Sequence, residues 1–408
     1  MLYQFYEFSH ASLKPLRIVS GVTRRMLQDP KNPFGDTGIG KAMAAGLEVF
    51  EDVTNHYTKA EWQISAENGH GSTAVEIAVE HSLPFCKLRS FKVPGRENCP
   101  RVLLVAPLSG HYATLLSDTI ETLIMDFDVY ITDWEDSREI PAEVGDFGLD
   151  DYINYILTFM EALGPKYHVV AVCQPGPAVL VASATLATDK SENQPSSIVL
   201  MGSPIDTRKS PTKPNQLAKN RSLRWFKDNA IMKVPLPHAG HSRPVYPGFL
   251  QLTGFMTMNL ERHLYAHKDL FDNLVRGDGD SVEAHRKFYK EYLAVMDLPS
   301  KYYLDTIEKI FQKHDLPNGK MRFNGNKIDL TAIIKPGLMT IEGGKDDISG
   351  VGQTQAAHDL CTNISEERRV AFVHPEVGHY GVFNGRKWRN EIAPRVREFI
   401  LENDAIVE

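Results

Sequence analysis

Apolar positions along the chain follow three patterns in succession. Over residues 2–57 they recur at helical spacing, first in the aromatic-rich opening MLYQFYEFSHASL and then in IGKAMAAGLEVFEDVTNHY, which predicts surface-packed helices. From about residue 61 the period changes. TAVEIAVEHSLPFCKLRSFKV alternates and breaks at 82–84, the mark of an antiparallel pair at a sheet edge. RVLLVAPLSGH, FDVYITDW, YHVVAVC and SSIVLMGSPI are continuous apolar runs. The first three are followed by the helix-like segments ATLLSDTIETLIMD, LDDYINYILTFMEAL and AVLVASATLA. Such alternation predicts an α/β fold with a mostly parallel sheet covered on both faces, and a site at the carboxyl ends of the strands. Residues 206–335 then read as long helical segments, among them GFLQLTGFMTMNLERHLYAHKDLFDNLV and VEAHRKFYKEYLAVMDLPSKYYLDTIEKIF. The strand pattern resumes in KPGLMTIEGG and RRVAFVHPEVGHYG, with a helix expected over GVGQTQAAHDLC and another over GRKWRNEIAPRVREFILEN. The expected organisation is therefore an N-terminal helical, aromatic arm (1–60), a core in two pieces (61–205 and 336–408), and an inserted helical cap (206–335).

Composition narrows the function classes. A net charge of −7 over 408 residues argues against nucleic acid as the main partner. No run approaches the ~18 apolar residues of a membrane span, and no secretory leader is read at the N-terminus, so a cytoplasmic protein is expected. Cys86, Cys99, Cys173 and Cys361 are widely spaced, which suggests neither a disulfide framework nor a metal site. No metal and no cofactor are expected.

The candidate chemistry begins at Cys173. The run YHVVAV ends at this residue and turns through Gln174, Pro175 and Gly176 into a helix. That is the outline of a nucleophile elbow, in which the turn residue stands clear of strand and helix. Taken alone, such a Cys is more simply read as a buried core thiol. Two later strand ends change the reading. Lys345-Asp346-Asp347-Ile348 follows one, and Gly378-His379-Tyr380-Gly381 follows the last. Nucleophile, acid and base in that chain order are the arrangement of α/β-hydrolases. A thiol needs a neighbouring His to react as the thiolate near neutral pH, and the His needs a carboxylate to fix its tautomer. Asp346 is preferred to Asp347 by its place in the Gly-x-x-Asp-x-Ile run, with Asp133 and Asp136 as alternative positions for the acid. The oxyanion donors expected are the amide of Gln174 and one from the Leu108-Ser109-Gly110 turn, assigned to Ser109. Leu108, Phe249, Phe255 and Met256 are the expected apolar contacts to substrate. Ser203 is read as structural, and His111 as a hydrogen-bonded loop residue.

Longer sequence words add a resemblance. MLYQFYEF, LPFCKL, APLSGHYATLL, VYITDW, VCQP, GSPID, VYPGFLQ, KFYKEY, YYLDTI, DDISG, AAHDLC and GHYG make the chain similar, nearly end to end, to the intracellular polyhydroxybutyrate (polyhydroxyalkanoate) depolymerases. The resemblance implies Cys173 as nucleophile with Asp346 and His379. It also implies poly(3-hydroxybutyrate) in native amorphous storage granules as substrate and the granule surface as partner, in the cytoplasm. Two alternatives stand beside it: a synthase-like acyltransferase using the same residues, and a non-catalytic granule-associated protein. Homo-oligomerisation, and water against coenzyme A as acyl acceptor, are left open.

Overall fold

The computed structural model describes residues 2–68, 71–96, 98–258 and 260–405. Eight strands form its central sheet: β1 (Glu76–Leu83), β2 (Cys86–Lys92), β3 (Arg101–Val105), β4 (Asp128–Trp134), β5 (Tyr167–Val172), β6 (Ser197–Met201), β7 (Gly337–Gly343) and β8 (Arg369–His374). Their spatial order is β1-β2-β4-β3-β5-β6-β7-β8. The β1/β2 and β2/β4 pairs are antiparallel and all others are parallel. This is the α/β-hydrolase fold.

Burial follows strand position. Every residue of β5, β6 and β7 is buried, whereas no residue of the edge strand β1 is, as central and edge positions in a covered sheet demand. From β3 the chain steps to β4 on one side, then to β5 on the other. The carboxyl ends of β3 and β5 therefore flank a switch point, the place where α/β sheets hold their ligands. The helix after β5 (Gly176–Thr188) is apolar on all sides and buried nearly throughout, as a helix with no solvent face must be. With α1 (Leu2–Leu27), α2 (Gly38–Thr54), α3 (Ser117–Leu123) and α4 (Leu149–Leu163) before it, this helix is α5.

Between β6 and β7 lie α6 (Lys213–Asn220), α7 (Leu223–Ala230), α8 (Gly248–Met258), α9 (Leu260–Arg276), α10 (Gly279–Leu293) and α11 (Ser300–Thr306). The stretch expected as one helical run over 282–311 breaks after α10. Leu298 and Pro299 pair instead with Tyr246 and Val245 in a small antiparallel sheet, and Pro299 has no amide hydrogen with which to continue a helix. The helix expected over GVGQTQAAHDLC is also curtailed, to Ala357–Leu360. The buried Glu342 carboxylate accepts hydrogen bonds from the amides of Gly352, Thr354 and Gln355, which ties that segment into turns.

The N-terminal helices pack on the insertion, α2 lying against both α1 and α9. The tip of α1 is fixed by a buried polar cluster. Tyr3 Oη donates to Asp297 Oδ2 at 2.5 Å, Gly248 N donates to Asp297 Oδ1 at 3.0 Å, and Asp297 N donates to Asp136 Oδ1 at 3.0 Å. Burial, then the charge of Asp136, pushes the Asp297 carboxyl up to about 7. The folded chain thus holds this proton more tightly than the unfolded chain, where a carboxyl titrates near ~3.9, so stability drains away as pH rises from about 4 through about 7. Asp297→Asn cannot ionise. The melting temperature of the wild type should fall between about pH 5 and about pH 8, and that of the variant should fall less. Equal falls would contradict this account.

Candidate active site

The elbow is built by local chemistry. Six buried residues of β5 deliver the chain to Cys173, whose φ of 67° places it in the left-handed region, a strained conformation for a non-glycine residue that concentrates at functional sites. The Cys173 amide donates to Met201 O at 2.7 Å, and Gly176 N reaches back to Cys173 O at 3.4 Å. Glycine is required at 176, because a Cβ there would lie 2.5 Å from Ser203 Cβ and Oγ at the end of the neighbouring strand. The thiol is partly exposed and rests against the core, with α5 beginning three residues later.

His379 opens a helical turn after β8 and is buried. Its Nδ1 lies 2.7 Å from Asp346 Oδ2. The other Asp346 oxygen accepts the amides of Ile348 and Ser349, each at 2.8 Å, so the carboxylate is aimed by its own turn. Burial works against the imidazolium. The charge of Asp346, then that of Cys173, with hydrogen bonds to both side chains, outweighs it and holds His379 well above the ordinary histidine range. Gly202, at φ 58°, lets the ring close in: a Cβ at this position would sit 3.2 Å from His379 Cε1. The structure therefore brings Cys173, His379 and Asp346 together. The alternative acids lie elsewhere. Asp133 pairs with Lys59 and Arg89, each at 2.6 Å, and Asp136 pairs with Arg138 at 3.0 Å.

Ser109 and Gln174 both face the cavity above the thiol. Among the described residues, neither backbone amide is engaged in a hydrogen bond. The inserted segment holds the Ser109 turn from above. Met296 N donates to Gly110 O at 2.7 Å, and His111 Nε2 lies 3.1 Å from Tyr292 O. Burial pushes His111 down to about 4, so the ring is neutral at pH 7 and Nε2–H is the donor in that contact.

The cavity measures ≈ 460 Å³, within the ~300–1,000 Å³ usual for ligand sites. Strand-end residues Ser109, Cys173, Gln174, Gly202 and His379 form one wall. Leu217, Phe226, Gln251, Phe255, Met258 and Tyr303 of the insertion form the other. Of the four expected apolar contacts, only Phe255 lines this cavity. Leu108 is 2% exposed, turned into the core beneath the turn. Phe249 stacks on Tyr6 at 4.2 Å and meets Tyr3 in a tilted contact at 5.5 Å, on the side of α8 that meets α1. Met256 lies off the lining face, which is 251, 254, 255 and 258. These positions share one helical stripe, a spacing that marks Gln251 and Met258 and excludes Phe249 and Met256.

Residues 202–404 match the model of a protein family described as PHB de-polymerase C-terminus. Over these residues the chain belongs to the PHB depolymerase family. The matched depolymerase region includes the insertion, Asp346 and His379, while Ser109 and Cys173 precede it. Among curated proteins, none matches the chain. Among solved structures, a monoacylglycerol lipase of Paleococcus ferrophilus is similar over 78% of this chain and 99% of its own, with a TM-score of 0.47 and 14% identity. A thermophilic esterase of Thermogutta terrifontis is similar over 84% of this chain and 98% of its own, with a TM-score of 0.43 and 12% identity.

Proposed function

We propose that the protein is a poly(3-hydroxybutyrate) depolymerase of native amorphous storage granules in the cytoplasm, with Cys173 as nucleophile, His379 as acid and base, and Asp346 as the group that orients the imidazole. The observation that carries this reading is the Cys173–His379–Asp346 constellation opening into an apolar cavity, in a chain of the depolymerase family.

The Cys173 thiolate attacks an ester carbonyl of the polymer, forming the C–S bond. The amides of Gln174 and Ser109 receive the developing oxyanion, each worth about 3 kcal/mol of barrier. Collapse breaks the C–O bond as His379 gives its proton to the departing hydroxyl. Water then donates a proton to His379 and attacks the thioester, the C–S bond breaks, and the acid product leaves with the thiolate restored. In this reading α6 to α11 form a cap over the thiol, and the apolar lining suits a polyester backbone that carries methyl groups and no charge.

The outer face of α1 supports contact with a granule. Phe5, Phe8, Val19, Val22 and Met26 are exposed, the two phenylalanines at 67% and 69%, and they fall on one stripe of the helix. An amphipathic helix of this kind binds an apolar surface through its buried area. Purified protein should release 3-hydroxybutyrate or its oligomers from amorphous granules, and the double variant Phe5→Glu, Phe8→Glu should co-sediment less with granules while hydrolysing a soluble 3-hydroxybutyrate ester normally. Hydrolysis of soluble esters without any release from granules would contradict the polyester reading. Unchanged co-sedimentation of the variant would remove α1 from it.

A further inference from the structure

His379 is a shared wall. On the side away from Cys173 and Gln174 lies a second cavity of ≈ 750 Å³, lined by Ala266, Phe288 and Tyr292 of the insertion and by Tyr380. The two cavities have Phe255, Met258, Ile348, His379 and Tyr380 in common, whereas Cys173 and Gln174 line only the first. We propose that the second cavity binds the alcohol side of the scissile ester, so that the polyester lies across both cavities with the reacting carbonyl at their junction. The proposal rests on Cys173 being the nucleophile.

The chemistry of the step fixes the direction. The acyl carbon becomes bonded to sulfur and its oxygen must lie at the Gln174 and Ser109 amides, which places the acyl segment in the first cavity. The leaving oxygen must meet the proton carried by His379, and the fragment attached to it departs on the histidine side. That fragment is the carboxyl-terminal part of the polyester, with a new hydroxyl at the cut and a carboxylate at its far end. The second cavity is chemically apt for it. Phe288, Tyr292 and Tyr380 present aromatic faces, with Phe288 and Tyr292 stacked at 5.4 Å. The rim carries Lys345 and Arg386, with Asp347 beside them and Lys387 tied to Glu376. A cavity of this size holds a ligand of several repeats, so the chain can be cut at an internal ester.

The test compares two esters of 3-hydroxybutyrate, the methyl ester, whose leaving group is methanol, and the linear trimer acid. Ala266→Trp fills the second cavity and Phe288→Ala strips its wall, and neither residue lines the first. For each variant, kcat/KM on the methyl ester should stay within about twofold of wild type, while on the trimer it should fall roughly tenfold or more, mainly through KM. Methyl ester turnover also reports that each variant is folded, and Phe288→Ala decides the matter if Ala266→Trp does not fold. Equal effects on both esters, or no effect on either, would overturn the proposal. Cys173→Ala is run in parallel. If it abolishes turnover of both esters while the cavity variants treat them alike, only the second-cavity proposal has failed. If it leaves turnover intact, the nucleophile assignment has failed and the proposal with it.

Discussion

Cys173→Ala is expected to lower turnover of amorphous poly(3-hydroxybutyrate) by about 10⁴-fold or more, since losses of this order accompany removal of a nucleophile that acts as a unit with its base. Stability should change little. The side chain is small and partly exposed, and the main-chain bonds that fix the elbow, Cys173 N to Met201 O and Gly176 N to Cys173 O, do not involve the thiol. Granule binding should also persist, because none of the exposed apolar residues of α1 lines the cavity above the thiol. A variant that sediments with granules, melts like the wild type and releases no product separates chemistry from adsorption. It also separates the enzyme reading from that of a non-catalytic coat protein.

Asp346→Asn should cost nearly as much, about 10⁴-fold in kcat, because an amide cannot hold the imidazole in the required tautomer or balance its charge. The pH profile gives this variant a signature of its own. His379 is held well above the ordinary histidine range by Asp346 and Cys173 against the pull of burial. Its protonated form, which donates to the leaving oxygen, therefore persists to higher pH and is lost only as pH rises through that elevated pKa. Removing the carboxylate takes away the largest stabilising partner. The alkaline limb of kcat/KM should then move to lower pH in Asp346→Asn. A fall in rate with the limb unmoved would mean that Asp346 acts on geometry alone.

Much of the fold was written in the pattern of apolar runs. Fully buried strands such as β5 and β6 have no polar face and announce themselves as continuous stretches, and the edge pair β1/β2 alternates. Chain order also pointed to turns after β5, β7 and β8 as the positions of Cys173, of Asp346 or Asp347, and of His379, with the Gly-x-x-Asp-x-Ile run favouring Asp346. The structure supplies their convergence, which depends on the switch between β3 and β5 and on the close approach at Gly202.

Contacts set by tertiary packing were less visible. Pairing of Leu298 and Pro299 with Tyr246 and Val245 interrupts a helical pattern of apolar positions, at a proline whose breaking effect the spacing of those positions does not register. The bonds from Glu342 to the 352–355 amides overrule a helix for which local composition is adequate. For the cavity wall, residue type misled where spacing would have served. Phe249 and Met256 have the right chemistry on the wrong sides of α8, while Gln251, Phe255 and Met258 stand on the side that meets the thiol. Leu108 illustrates the same point in a turn, where its neighbours Pro107 and Ser109 face the cavity and its own side chain fills the core.

The most direct measurement is of the covalent intermediate. Mixing the protein with an activated 3-hydroxybutyrate ester, quenching in acid within the first turnovers and mapping peptides by mass spectrometry should find a 3-hydroxybutyryl group on Cys173. The adduct should be labile to hydroxylamine, as a thioester is, and absent from Cys173→Ala. An acyl group found instead on a serine such as Ser109 or Ser203, or active turnover by Cys173→Ala with no adduct at this position, would contradict the account.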